Sequence, residues 1–249
     1  GNKLFLRISP ELYLKKLIIG GMEKIFEIGK QFRNEGIDKK HHPEFSSIEI
    51  YQAYTDYLAM INLTKQIISY IKPDNNFNYS IFTIFEAITK YTNIEINNLS
   101  QTKNIADKLH LSYLDNEDDG IIIMRVFDTF VEPNLIDPTF ITEYPLSISP
   151  LARESRTNNN CAERFELYIN GMEIANAYSE QNNSDLQKIA FEKQSNIFGI
   201  KDMEFINDMR YGMPPCGGLG IGIDRLFMVL YSVDNINDTI LFPLKNKNT

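Results

Sequence analysis

Polar and apolar positions alternate along two runs, 24–35 and 44–54, on either side of a polar loop that holds Gly36, Asp38, His41, His42 and Pro43. Alternation puts successive side chains on opposite faces of an extended chain, so the pattern predicts an antiparallel hairpin with a long loop. Phe26, Ile28 and Phe32 share one face with Ile48 and Ile50, and that face is expected to pack on a core. Glu27, Gly29, Gln31, Arg33 and Glu35 share the other with Phe45, Ser47, Glu49 and Tyr51. A solvated face has no need of Phe45 and Tyr51 among its charges. Gly29 weakens a strand unless something approaches its backbone closely. Arg33 can hold a carboxylate or phosphate through two parallel hydrogen bonds, with an aromatic ring nearby to stack a base or cap a cation. The face suits a ligand that is both anionic and flat, such as a nucleotide.

A second hairpin is predicted in RFELYINGMEIANAYSE, residues 164–180. Asn170-Gly171 between β-prone runs calls for a two-residue type I′ turn. That register pairs Ile169 with Met172 and Tyr168 with Glu173, and sets Glu166 opposite Ala175. Glu166 and Glu173 become diagonal neighbours roughly 7–8 Å apart by backbone. Their carboxylates can converge on a hard cation, as Mg²⁺ on triphosphate oxygens uses one or two protein carboxylates. The alternative is two separate surface ion pairs, each contributing about 0–1 kcal/mol. That alternative needs cations this stretch does not supply.

In PPCGGLGIGIDRLFMVL, residues 214–230, Gly218, Gly220 and Gly222 alternate along a predicted strand. One strip of it therefore carries no side chains, and a flat ligand can lie there. The spacing fits neither a dinucleotide loop nor a P-loop. Asp224 begins an amphipathic helix with Arg225 in its first turn, where the helix dipole disfavours a cation. An anionic ligand or a structural ion pair would account for it. Helical patterning is also predicted after Ser9-Pro10-Glu11, with Leu12, Leu14, Leu17 and Ile18 on one face and Gly20-Gly21 as the stop. Further helices are predicted over 54–71, in pieces between 80 and 132, over 184–198, and at about 200–211. No linker divides the chain.

A length of 249 residues with 43% hydrophobic content supports one large domain. No apolar run approaches the roughly eighteen residues needed to span a bilayer. Cys161 and Cys216 lack metal-ligand spacing and read as free thiols in a reducing compartment. The net charge of −8 argues against holding nucleic acid on a broad basic surface. The chain opens at Gly1 directly in a strand-like run, KLFLRIS, and so is expected to be a fragment lacking its N-terminal part.

FRNEGIDKKHHPEFSSIEIYQAY, residues 32–54, resembles the second signature motif of the class II aminoacyl-tRNA synthetases, in the version carried by the lysine enzymes. Residues 214–230 resemble the third motif, and 133–153 the family's P-T-FI…YP…SPLA stretch. The resemblance implies an α+β fold, an antiparallel sheet flanked by helices, as a partial catalytic domain over 1–249. It places the first motif and an anticodon-binding barrel ahead of Gly1. It implies activation of L-lysine with ATP to lysyl-adenylate, then transfer to the 3′ end of tRNA(Lys), by a homodimer in the cytoplasm or an organelle. By resemblance Arg33 contacts the α-phosphate and the substrate carboxylate, and Glu35 and His41 lie near the nucleotide. Phe45 stacks on adenine, Gly222 borders it, Arg225 holds the γ-phosphate, and Glu166 and Glu173 carry Mg²⁺. Glu49 and Glu180 bracket the ε-ammonium with Tyr51, Glu11 takes the α-ammonium, and Asn176 and Tyr178 complete the amino acid pocket. Asn176, Tyr178 and Glu180 have opposite parity to Glu173, so a bulge or bend is predicted near 174–177. Rival readings are a paralogue that lysylates a protein such as an elongation factor, and a non-catalytic regulator on the same fold.

Overall fold

The computed structural model describes residues 4–198 and 202–244. Its sheet is built from β1 (Lys24–Phe32), β2 (Glu44–Ala53), β3 (Ser80–Thr83), β4 (Thr139–Thr142), β5 (Arg164–Ile169), β6 (Met172–Ser179) and β7 (Cys216–Gly222). The strands lie in the order β1-β2-β7-β6-β5-β4-β3. Every neighbouring pair is antiparallel except β3 and β4, which run parallel. Around it lie α1 (Glu11–Ile19), α2 (Tyr57–Ile71), α3 (Ile84–Thr92), α4 (Thr102–Lys108), α5 (Asp119–Phe130), α6 (Ser184–Phe198), α7 (Met203–Met209) and α8 (Ile223–Tyr231). This is the predicted α+β arrangement of a mainly antiparallel sheet with flanking helices. None of the described helices is long and apolar enough to cross a membrane.

Strand parity decides which face is core. Leu219 and Ile221 of β7, Ala175 and Ala177 of β6, and Ile48 and Ile50 of β2 pack with α2 and α8 through Met60, Ile61, Ile68 and Leu226. Glu49, Gly220, Asn176 and Tyr178, at the alternate positions, are left on the opposite face. A second cluster joins α3, α4 and α5 to β4 and β5 through Ile88, Ile105, Phe127 and Ile141. A third sets Leu14 and Ile18 of α1 against Phe205, Ile206 and Met209 of α7. Each fully buried side chain of this size contributes roughly 1.5–3 kcal/mol by leaving water.

Several expectations are corrected. The apolar face of β1 does not pack on a core: Phe26 and Ile28 are 67% and 60% exposed, because β1 is the sheet edge. Strand β1 ends at Phe32, so Arg33 and Glu35 lie beyond it. The close approach at Gly29 comes from the chain itself, since a Cβ there would overlap the Arg7 guanidinium. Helix α2 starts at Tyr57, not 54, because Asp56 Oδ1 accepts from the Leu58 and Ala59 N–H groups. In α1 the buried face is Leu14, Lys15 and Ile18, while Leu17 is 43% exposed. The predicted helix over 200–211 is α7, Met203–Met209, and its first two positions lie outside the described residues.

The second hairpin turns at Asn170 and Gly171, whose φ values of 54° and 62° are the left-handed pair a type I′ turn needs. Ile169 faces Met172 and Tyr168 faces Glu173, as predicted. From there the register shifts, so Leu167 faces Ala175 and Glu166 faces Asn176 rather than Ala175. The cause is a bulge that leaves Ile174 as the extra residue, inside the stretch where the parity conflict required one. The bulge turns Glu173 to the same face as Asn176 and Tyr178.

Candidate active site

Between the free face of the central strands, the 33–45 loop and α1 lies an open cleft of about 380 Å³. Every residue given a role from the sequence lines it, except Glu166.

One end is a pocket of carboxylates. Glu49 accepts from Ser9 Oγ at 2.8 Å and from Tyr51 Oη at 2.9 Å. Glu11 accepts from Tyr178 Oη and pairs with Lys15 Nζ at 2.6 Å. Glu180 has a fully buried side chain and pairs through Oε2 with the same Lys15 ammonium. Its Oε1 has no partner among the described residues. It lies over Gly218, where any Cβ would overlap both Glu180 Oε1 and the Tyr51 ring. The glycine strip read as a floor for a flat ligand is therefore filled at Gly218 by the protein's own side chains. At Gly220 and Gly222 it stays open to the cleft.

Burial pushes the Glu180 carboxyl up to about 8, Lys15 pulling against it and Glu11 and Glu49 adding to it. Burial, with Glu11 nearby, also raises Glu49. Desolvation draws the Lys15 ammonium down, but Glu11 and Glu180 outweigh it and its pKa is raised. An exposed carboxylate would keep its ordinary value. This pocket is short of positive charge.

In the middle of the cleft, the Arg33 guanidinium lies 5.1 Å from the centre of the Phe45 ring. At the far end, the first turn of α8 presents Arg225, which donates to the Lys40 and Glu173 carbonyls at 3.2 and 3.1 Å. Asp224 beside it accepts from the Ser46 N–H at 2.6 Å and from Thr239 Oγ1 at 3.0 Å, tying α8 to β2. Those bonds fix the direction in which Arg225 leaves the helix. His41 pairs with Asp38 at 2.8 Å within the loop.

Glu173 lies 3.9 Å from Arg225 and keeps 38% of its side chain open to the cleft. Burial of the surrounding site and the charge of Glu166 push it up to about 7, against Arg225, Arg164 and Arg33. Glu166 lies behind it, buried, with both oxygens engaged. Oε1 accepts from Arg164 at 2.5 Å and Asn176 at 3.1 Å; Oε2 accepts from Tyr144 at 2.9 Å and Tyr168 at 2.5 Å. Four donors fill the lone pairs a carboxylate offers. No cluster of three or more His, Cys, Asp or Glu residues that could hold a metal ion occurs among the described residues.

Sequence reasoning missed Ser9 and, above all, Lys15, and it counted no cation in 164–180 although Arg164 lies there and pairs with Glu166 at 2.5 Å. The signal for Lys15 was present, because a Glu four residues before a Lys pairs on a helix. Such pairs are ordinarily solvated, and nothing local says that this one is buried.

A mainly antiparallel seven-stranded sheet flanked by helices is consistent with the class II synthetase fold. The chain belongs to the tRNA synthetases class II (D, K and N), whose family model matches residues 1–246. Among curated relatives, a lysine–tRNA ligase of Buchnera aphidicola (subspecies Schizaphis graminum) is 44% identical, the match covering 97% of this chain and 53% of the relative. Lysine–tRNA ligases of Thermoanaerobacter sp. (strain X514) and Moorella thermoacetica are 41% and 42% identical, over 98% and 96% of this chain and 54% of each relative. The chain spans about half the length of the curated relatives it matches.

Proposed function

We propose that the protein is a lysine–tRNA ligase, activating L-lysine with ATP to lysyl-adenylate and pyrophosphate and passing the lysyl group to the 3′ end of tRNA(Lys). The observation that carries this reading is Glu180. A fully buried carboxylate with one oxygen unpartnered, beside Glu49 and Tyr51, is built for a cation delivered on a slender chain. Glu180 and Glu49 hold the ε-ammonium with Tyr51, and Glu11 and Tyr178 hold the α-ammonium end. Asn176 Nδ2 and Arg33 hold the carboxylate. A neutral side chain there leaves two buried acids unpaired, so selection needs no editing.

The substrate carboxylate is already ionised and attacks the α-phosphorus in line, with pyrophosphate leaving. The residues position the partners and neutralise charge. Arg33 spans the attacking carboxylate and the α-phosphate. Phe45 stacks on adenine beside Gly222, Glu35 and His41 border the nucleotide, and Arg225 grips the γ-phosphate. Glu173 suits Mg²⁺ as a cleft-facing carboxylate that burial and the Glu166 charge keep raised despite Arg225 3.9 Å away, and Glu166 behind it would be the second carboxylate. Two protein carboxylates would be enough to hold an ion that also bound phosphate oxygens and water. The bound ion would neutralise charge on the phosphates.

The exposed Phe26 and Ile28 on the β1 edge suit a homodimer contact. In the full-length protein, lysine-dependent ATP–pyrophosphate exchange is expected, and Arg33→Ala should lower it by about 10²–10³-fold, as for loss of one preorganised charge donor. No exchange in folded wild type refutes the reading.

A further inference from the structure

Lys15 has no role in the chemistry above, yet it is among the largest fully buried side chains of the protein, at 1% exposure. Its ammonium reaches Glu11 on its own helix and Glu180 just beyond β6, and lies 5.2 Å from the centre of the Tyr178 ring. A buried cation at this position is costly unless it is paired, and here it is paired twice. It touches the two carboxylates from the side away from Glu180 Oε1.

The groups facing it can be counted by element: Glu11 from α1, Glu49 and Tyr51 from β2, Tyr178 and Glu180 from β6 and its end, and the buried Cys216 thiol from β7. On α7 the acids Glu204 and Asp208 are engaged by Lys16 instead. Three carboxylates therefore meet one resident cation. With all three ionised, as when substrate is bound, the remaining two negative charges equal the two ammonium groups of one dibasic amino acid, whose carboxylate goes to Arg33.

We propose that Lys15 is a positioning residue for the amino acid substrate: it anchors Glu11 and Glu180 from behind and sets the charge of the pocket to match one dibasic amino acid. The proposal rests on the lysine reading of the cleft. It works through Glu180, whose Oε2 it occupies so that Oε1 alone is presented to the substrate. Without it, Glu180 would bind its proton more tightly, and the substrate ammonium would have to displace it.

The test is Lys15→Met in the full-length protein, read by ATP–pyrophosphate exchange between pH 6 and 9. KM for lysine should rise about tenfold or more at pH 7, and the pH above which KM levels off should move up by more than a unit from wild type. KM for ATP should stay unchanged. A merely structural role predicts a fall in kcat and a rise in both KM values with no displacement of the pH profile, and that result overturns the proposal. Where Lys15→Met does not fold, wild-type protein labelled with ¹⁵N-lysine gives the answer. The protected Nζ resonance of Lys15 should shift on saturation with L-lysine and not with ATP alone; an unmoved resonance overturns the proposal. Absence of lysine-dependent exchange in the wild type refutes the lysine reading itself, so the two failures are separable.

Discussion

Lysine binding should release a proton, and the proton should come from Glu180. The perturbation is pH. In the free protein burial holds this carboxyl at about 8, some way above the ordinary 4.5. With a pKa of about 8, roughly 0.9 of the Glu180 carboxyls are protonated at pH 7 and roughly 0.1 at pH 9. An ε-ammonium reaching Oε1 favours the ionised form, so lysine should displace about 0.9 proton at pH 7 and about 0.1 at pH 9. Apparent affinity should then improve about tenfold from pH 6 to pH 7 and level off above pH 8, while the substrate ε-ammonium itself stays charged. Isothermal titration calorimetry of the full-length protein with L-lysine, without ATP, in buffers of differing ionisation enthalpy, counts the protons directly. Glu180→Gln should abolish the buffer dependence and most of the affinity. Tight binding at pH 7 with no proton released would refute the reasoning, since it would mean that Glu180 is ionised before the substrate arrives.

Gly218→Ala places a methyl group where Glu180 Oε1 and the Tyr51 ring already lie. KM for lysine should rise with KM for ATP little changed, because Gly220 and Gly222 are untouched; steady-state exchange kinetics would separate the two. The substrate-free protein should lose stability as pH rises. Glu180 and Glu173 have folded values of about 8 and about 7 against an ordinary 4.5, so their contribution is complete below about pH 4.5 and is lost as pH climbs through 7 and 8. Melting curves from pH 5 to 8.5 should show a decline from which saturating L-lysine removes the Glu180 share and leaves that of Glu173; a decline unchanged by lysine would place its source elsewhere.

Periodicity made the two hairpins legible, because register follows from alternation once a turn is fixed. Asn170-Gly171 fixed one, and Ile169–Met172 and Tyr168–Glu173 pair as that turn demands. What periodicity could not supply was the neighbourhood of each face. Phe26 and Ile28 carry the pattern of a core strand and are exposed, because nothing in β1 itself says that it ends the sheet. Gly29 signals a close approach but not by whom, and the answer, Arg7, lies more than twenty residues upstream. Lys15 is the same problem inverted: a residue type almost always solvated is buried because two acids from separate segments meet over it. The positions that line the cleft were found through motif resemblance, and local pattern alone would have grouped only those on β2, β6 and β7.

The bulge at Ile174 links the two halves of the site. On a regular strand Glu173 and Asn176 would face opposite sides, and one strand could serve the phosphates or the amino acid but not both. One inserted residue lets β6 present Glu173 toward Arg225 and, a turn of pleat later, Asn176 and Tyr178 toward the carboxylate pocket. Between these positions Arg33 lies over Phe45. Arg33 also sits just past the end of β1, where its N–H donates to the Pro43 carbonyl at 2.9 Å and holds its backbone against the start of β2. On the proposed reading the strands would hold the two ligands, and Arg33, the residue that reading asks to serve both, lies past the end of β1.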